Sequence, residues 1–290
     1  MSGRAVAARR RDPVNPFLRV WAVLVYVFLF LPIAIIVIYA FNSGRALIDW
    51  SGFGFDGFEQ AFSNPLITSA VQTSIIVAIG SAVIATILGS LAGIALARRR
   101  GRWSAIFLAL VFLILVTPEI VDAIALLIWY VRIGGPFGPD SPLPVDYGLA
   151  RLWAGHSLFS TAVVTLIVRA RLIGLDESLE EAGADLYAPP FRRFRQITLP
   201  LMLPAVLAAA LLSFSLSLDN VIISSFVSAA GNTPWPVVVF SAVRSLLRPE
   251  FASMSAALFV LTLVALALVA VVLRRSGSSG AEVTRTLTGA

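Results

Sequence analysis

The sequence predicts an all-α polytopic membrane protein with six transmembrane helices, and three observations lead there. Of its 290 residues 58% are hydrophobic and only 13% charged, with a mean hydropathy of +0.90, far more apolar than a soluble core of this length requires. Apolar runs long enough to cross a ~30 Å hydrocarbon layer recur along the chain. The arginines gather in clusters beside those runs, the pattern that membrane orientation produces.

Residues 1–16 carry Arg4, Arg9, Arg10 and Arg11 with Pro13 and Pro16, and read as a disordered basic tail. The start resembles that of a signal peptide, yet no small-residue cleavage site follows the apolar run. Leu18 to Phe41 is the first span. From Asn42 to Pro65 the chain turns polar and rich in Gly and Phe, an external loop with a short interfacial helix expected at Gly57 to Phe62. The second span, Ile67 to Ala97, repeats Ala85, Gly89, Gly93 and Ala97 every four positions, which lets a neighbouring helix approach closely. Arg98, Arg99, Arg100 and Arg102 stop it.

The third span, Ser104 to Ile133, carries Pro118, Glu119, Asp122 and Arg132. Proline loosens a helix, and acids at membrane depth are costly enough to need a reason. An external loop, Gly134 to Leu149, holds Asp140 and Asp146. The fourth span, Leu152 to Val168, contains His156, expected to be a hydrogen-bonded packing residue because no second histidine exists to share a metal. The fifth runs from Leu199 to Phe226 with Asp219 and Asn220 near its far end, and the sixth from Phe251 to Leu273. Between these two lie an outer loop, where Trp235 is a candidate contact for an external protein, and an amphipathic stretch from Val237 to Leu247. Trp129, Tyr130 and Trp153 are expected as anchors at the outer interface. Residues 17–273 form the transmembrane domain, and 274–290 a second tail.

Six spans put both tails on one side. Seventeen arginines then fall on that side, in the tails with Arg19 counted in the first, the 98–102 turn and the 169–198 loop, against five on the other, namely Arg45, Arg132, Arg151, Arg244 and Arg248. That bias makes the tails and the 169–198 loop cytoplasmic. The same clustering explains the net charge of +6 without nucleic acid. No cysteine is present, so there is no disulfide and no thiolate chemistry. All 22 basic residues are arginine, which excludes the GxxxxGK[ST] phosphate loop, so any ATP is hydrolysed by another subunit. No Ser/His/Asp or paired-carboxylate arrangement stands at catalytic spacing, and no internal repeat is visible.

The long polar insertion, Asp176 to Pro200, organises the rest. Asp176 can cap a helix, and Ser178 with Glu181 has capping-box spacing, so a helix is expected from about Glu177 to Tyr187, ended by Pro189-Pro190. Leu179, Ala182, Gly183, Leu186 and Tyr187 share one face, while Glu180, Glu181 and Asp185 are expected to flank it in water. Alone, such a segment reads as an amphipathic linker on a membrane surface.

The wording says more. Glu180-Glu181-Ala182, then Ala188, Pro190, Phe194, Ile197, Leu199 and Pro200, resembles the cytoplasmic EAA loop of ABC importer permeases. It departs at Gly183, where the family usually has Ala, and at Tyr187, where Gly is usual and where a tyrosine argues against a tight turn. The run from Ser213 to Val227, with Pro236 to Val243 after it, and the Pro118-Glu119-Ile120-Val121 element are similar to the spermidine/putrescine branch, although relatives for iron, thiosulfate, opines or amino acids share much of this wording. Asn220 stands where the branch often has a second Asp.

The resemblance implies a type I ABC importer permease fold and an inner (plasma) membrane location. The coupling helix, loop 174–198 with Glu180, Glu181, Ala182, Gly183, Ala184, Asp185 and Tyr187, docks on an ATP-hydrolysing subunit, one of two that bind ATP and magnesium, so the permease carries no cofactor. It further implies a second, different permease chain and an external solute-binding protein. A polyamine needs acids along its path, and Asp219, Asn220, Glu119 and Asp122 are the candidates, the alternative being that each acid is paired within the bundle, for instance with Arg132. The rival classes, an ion-driven carrier or a channel, need no ATPase partner and no Glu180 or Glu181.

Overall fold

The computed structural model describes residues 14–44, 49–99, 101–132, 147–244 and 248–275. The two tails, Arg100, and the loop with Asp140 and Asp146 therefore lie wholly or largely outside the described residues. What is described is helical apart from one isolated antiparallel bridge between Asn42 and Phe53. Two compact units divide it, one of residues up to Ala61 with Leu247–Ala257, the other of Phe62–Leu246 with the residues from Leu258 onward.

In the first unit α1 (Val14–Tyr39) runs into a loop held by Asn42, which is fully buried. Its amide oxygen accepts from the backbone N–H groups of Gly44 and Ser51 at 3.2 and 3.0 Å, and its nitrogen donates to the Asp49 carbonyl at 2.8 Å. One side chain thus replaces the ladder that a longer hairpin would supply. The rings of Phe41, Phe53, Phe55 and Phe58 pack edge and face beside it, and α2 (Asp56–Ser63) appears where the interfacial helix was expected.

The second unit is built on α3 (Pro65–Arg98). Asn64 caps it by accepting from Leu66 N–H at 3.0 Å, and Pro65 occupies the first turn, where its missing donor costs nothing. α3 packs along α6 (Tyr147–Ile173) and α9 (Leu199–Leu218). The four-residue repeat makes this seam possible. A methyl group on Gly89 would sit 2.7 Å from Val164 Cβ and 2.9 Å from the Thr161 carbonyl, and one on Gly93 would sit 2.8 Å from the Thr165 carbonyl. Ala85, Val164, Val168, Met202 and Ala209 close the core around it.

Two expected spans are broken. The third is α4 (Arg102–Val116) and α5 (Glu119–Arg132), bent by 102°. At 1.5 Å per residue each half is about 21 to 23 Å long, too short to cross ~30 Å alone. The break begins locally: Thr117 precedes Pro118 and is held out of the helical region at φ −63°, ψ 131°. Among the described residues five helices are long and apolar enough to cross a membrane, six if the bent pair counts as one span. The fifth span stops at Leu218 and restarts as α10 (Ile222–Val227), before α11 (Trp235–Val243) and α12 (Pro249–Arg275).

Two expectations fail here, those for Tyr130 and Trp235, because packing holds both side chains inside the bundle. Tyr130 is buried at 1% exposure instead of anchoring in lipid headgroups, with its hydroxyl donating to the Arg151 carbonyl. The Trp153 indole donates to the Ile76 carbonyl at 3.1 Å and covers Gly80. Trp235 is buried, its backbone N–H donating to Ser74, so its ring is not a free outer contact.

Candidate functional site

The two breaks face each other. Glu119 is the first residue of α5, where a helix N-terminus favours an acid, and Asn220 stands in the gap between α9 and α10. The Asn220 amide nitrogen donates to the Glu119 carboxylate, and its oxygen accepts from Ile223 N–H at 3.0 Å, opening α10. One side chain therefore caps a helix and joins two interrupted spans. Backbone freed at membrane depth is tolerated only where such groups re-satisfy it or where it lines a cavity.

A cavity does lie there, about 450 Å³, lined by Glu119, His156, Ser160, Asp219 and Asn220 among others. Glu119, Asp219 and Asn220 are thus brought together, whereas Asp122, one turn along α5 and half-buried, is not among the lining residues. Arg132 pairs with none of them. It ends the same helix, about 20 Å from Glu119 by helical rise. Among the described residues neither Glu119 nor Asp219 has an ion-pair partner.

Behind it runs a polar chain that the sequence did not reveal. Ser81 of α3 donates to Ser217 at 2.9 Å, and Ser217 meets His156 Nδ1 at 2.7 Å. His156 Nε2 meets Ser224 of α10 at 3.0 Å. His156 is 3% exposed with both nitrogens engaged, as expected of a packing residue, and it also lines the cavity and joins both sides of the α9–α10 break. The alternation Ser213, Ser215, Ser217 was the available signal, but only the fold shows which serine faces inward.

A second candidate region lies at the arginine-rich end of α3. There α7 (Ser178–Asp185) begins after Asp176, whose carboxylate accepts from Ser178 N–H at 3.0 Å. The Ser178 amide and hydroxyl hold the Asp176 carboxyl below the usual carboxylate range. At the other end Tyr187 N–H donates to the Ala184 carbonyl at 2.9 Å and Ala188 N–H to the Gly183 carbonyl at 3.0 Å. This is the Schellman pattern, which needs a left-handed residue at the position after the cap. Tyr187 supplies it at φ +57°, so the tight turn forms in spite of the tyrosine.

The faces of α7 also differ from expectation. Glu180 turns inward: Arg98 and Thr198 both bond its carboxylate, and Arg193 donates to its carbonyl at 3.3 Å. Gly183 packs on Ile197 and Arg193. Leu186, Tyr187 and Phe191 instead point outward at 82%, 96% and 73% exposure, with Glu181, Ala182, Ala184 and Asp185 also exposed. Amphipathic spacing identified an apolar face but could not say that it is turned away from this chain. The helix continues through α8 (Pro190–Arg193) and a π-turn at Phe194–Thr198 into α9.

The family model described as "Binding-protein-dependent transport system inner membrane component" matches residues 85–277. The putrescine transport system permease protein PotI of Escherichia coli (strain K12) is 37% identical over 237 residues, 81% of this chain and 83% of that protein. The spermidine/putrescine transport system permease protein PotC of Haemophilus influenzae is 34% identical over 252 residues, 87% of this chain and 94% of that protein. Among solved structures, a bacterial alginate ABC transporter in complex with an alginate pentasaccharide-bound periplasmic protein superposes with TM-score 0.71 at 14% identity, over 92% of this chain and 96% of that one. At that identity the likeness concerns the fold, which is that of a type I permease. The chain therefore belongs to the binding-protein-dependent transport system inner membrane components, the permease subunits of ABC transporters.

Proposed function

We propose that this chain is half of the transmembrane pathway of an ABC importer for polyamines, putrescine or spermidine. The observation that carries the reading is the cavity at the two helix breaks, where Glu119 and Asp219 present carboxylates without cationic partners. A molecule with two or more ammonium groups loses its water on entering, and fixed carboxylates in a low-dielectric site offset that loss far better than a neutral wall. Asn220 orients Glu119 and leaves one carboxylate oxygen for the substrate. The relatives named for putrescine and spermidine transport support the same chemistry.

In this reading the arginine-rich side is cytoplasmic, which puts both termini and α7 where ATP is. The exposed Leu186, Tyr187 and Phe191, with Glu181 and Asp185, form the docking face for an ATPase subunit that binds ATP and magnesium. Two such subunits, a second and different permease chain and an external binding protein complete the complex. ATP acts through contacts that differ between inward- and outward-open states.

The test is uptake of labelled amines into proteoliposomes holding the whole complex. Asp219→Asn should lower uptake about tenfold, equivalent to roughly 1.4 kcal/mol, while the complex still assembles. Unchanged uptake removes Asp219 from the path, and preference for a neutral or anionic solute overturns the polyamine reading.

A further inference from the structure

We propose that Glu180 is a positioning residue, a three-way latch that makes α7 move together with α3 and α9 instead of sliding beneath them. The proposal rests on the coupling role assigned to α7 above. Three elements converge on this one residue. Arg98 in the last turn of α3 pairs with its carboxylate, Thr198 at the end of the π-turn donates to the same Oε1, and Arg193 of α8 donates to its carbonyl at 3.3 Å. Beneath them the fit is close: Ile197 lies 3.0 Å from where a Gly183 Cβ would be, and the space between Arg98, Leu172, Leu175, Glu180 and Leu201 is about 10 Å³, room for a single water at most. Thr198 is 3% exposed, so its hydroxyl has little access to water in place of Glu180.

The neighbouring acid does none of this. Glu181 is exposed and unpaired among the described residues, so it remains available to another subunit. A half-exposed ion pair adds little to stability, which leaves geometry as the reason to keep one here. Without the latch, the Gly183 packing and the covalent turn at Tyr187–Pro189 would still join α7 to α9, but the ion pair between α7 and α3 would be gone. The π-turn is suited to the receiving end. Its extra residue shifts the register between α8 and α9, and wide turns of this kind recur where helices adjust in function.

The experiment uses the complete complex in proteoliposomes and reads amine uptake per ATP hydrolysed. Glu180→Gln and Arg98→Glu should each cut that ratio at least fivefold while the ATPase subunits still co-purify and basal ATP hydrolysis stays within twofold. The double exchange Arg98→Glu with Glu180→Arg should restore at least half of it. An unchanged ratio in Glu180→Gln, loss of the ATPase subunits from the complex, or failure of the exchange to restore the ratio would each overturn the latch. A double-mutant cycle on the thermal denaturation of the purified complex reads the pair without reference to transport. Arg98→Ala with Glu180→Ala should lower the midpoint no further than Glu180→Ala does alone, and additive losses would overturn the pairing. If the unaltered complex takes up no polyamine, the substrate reading fails and this cycle still decides the latch.

Discussion

The α3–α6 seam and the paired breaks at residues 117–118 and 219–221 draw on the same apolar vocabulary and behave oppositely. Along the seam both helices run unbroken, and Gly89 and Gly93 bring them so close that backbone touches backbone. At the breaks the ladder is cut, and polar side chains bond the helix ends: the Thr117 hydroxyl adds a bond to the Leu113 carbonyl at 2.7 Å, and Asn220 opens α10. A membrane permits either a continuous helix or an interruption whose loose ends are tied. The seam is thus a frame, and the breaks are where cavity and charge can be placed.

The largest expected effect comes from attacking the frame. Gly89→Leu drives a side chain into Val164 and into the Thr161 carbonyl, which as backbone cannot turn aside. Overpacking of this kind should cost about 3 kcal/mol or more, read as loss of monodisperse protein in detergent. Gly174→Ala is the control, since its nearest new neighbours lie at 3.6 Å, an ordinary contact. Normal yield and melting of Gly89→Leu would mean that the two helices are free to separate.

A smaller effect is expected at the breaks. His156→Phe preserves bulk but removes the partner of Ser217 on one side and of Ser224 on the other. Buried hydroxyls left unpaired should cost about 2 kcal/mol, with the melting temperature and amine uptake falling together, and His156→Asn should recover part of both. A fall in uptake with unchanged melting would instead mean that His156 touches the substrate.

The same contrast explains what the sequence disclosed. A small residue every fourth position is a pattern, and it survives to the packed helices because nothing local opposes it. The bend was half legible: Pro118 marks the place, but one proline does not set a 102° turn, which depends on where α5 finds α10 and α6 to pack against. The break at Asp219–Asn220 contains neither Pro nor Gly. Its signal was an asparagine, a residue that favours helix starts, in the middle of an apolar run. Glu180 was misplaced for another reason. Periodicity says which residues share a face, and a face intended for a second protein looks the same as one intended for the core.

A third helix end, outside the membrane, sharpens the comparison further. The α7 turn is closed by backbone alone, and it carries a cost that the buried breaks avoid, because Tyr187 holds the left-handed conformation without glycine's freedom. Tyr187→Gly should therefore gain about 1 kcal/mol in local helix stability, measurable as slower amide exchange across residues 178–185. Yet the ring is 96% exposed and contributes nothing inside this chain, so a purely structural role would make the glycine variant at least as good a permease. If the ring instead inserts into the ATPase surface, the variant is more stable in isolation and binds the ATPase subunit about tenfold more weakly, within the range of losses at buried aromatic anchors. Opposite signs in exchange and in binding identify a strained helix end kept for what it presents, whereas equal binding confines Tyr187 to the turn.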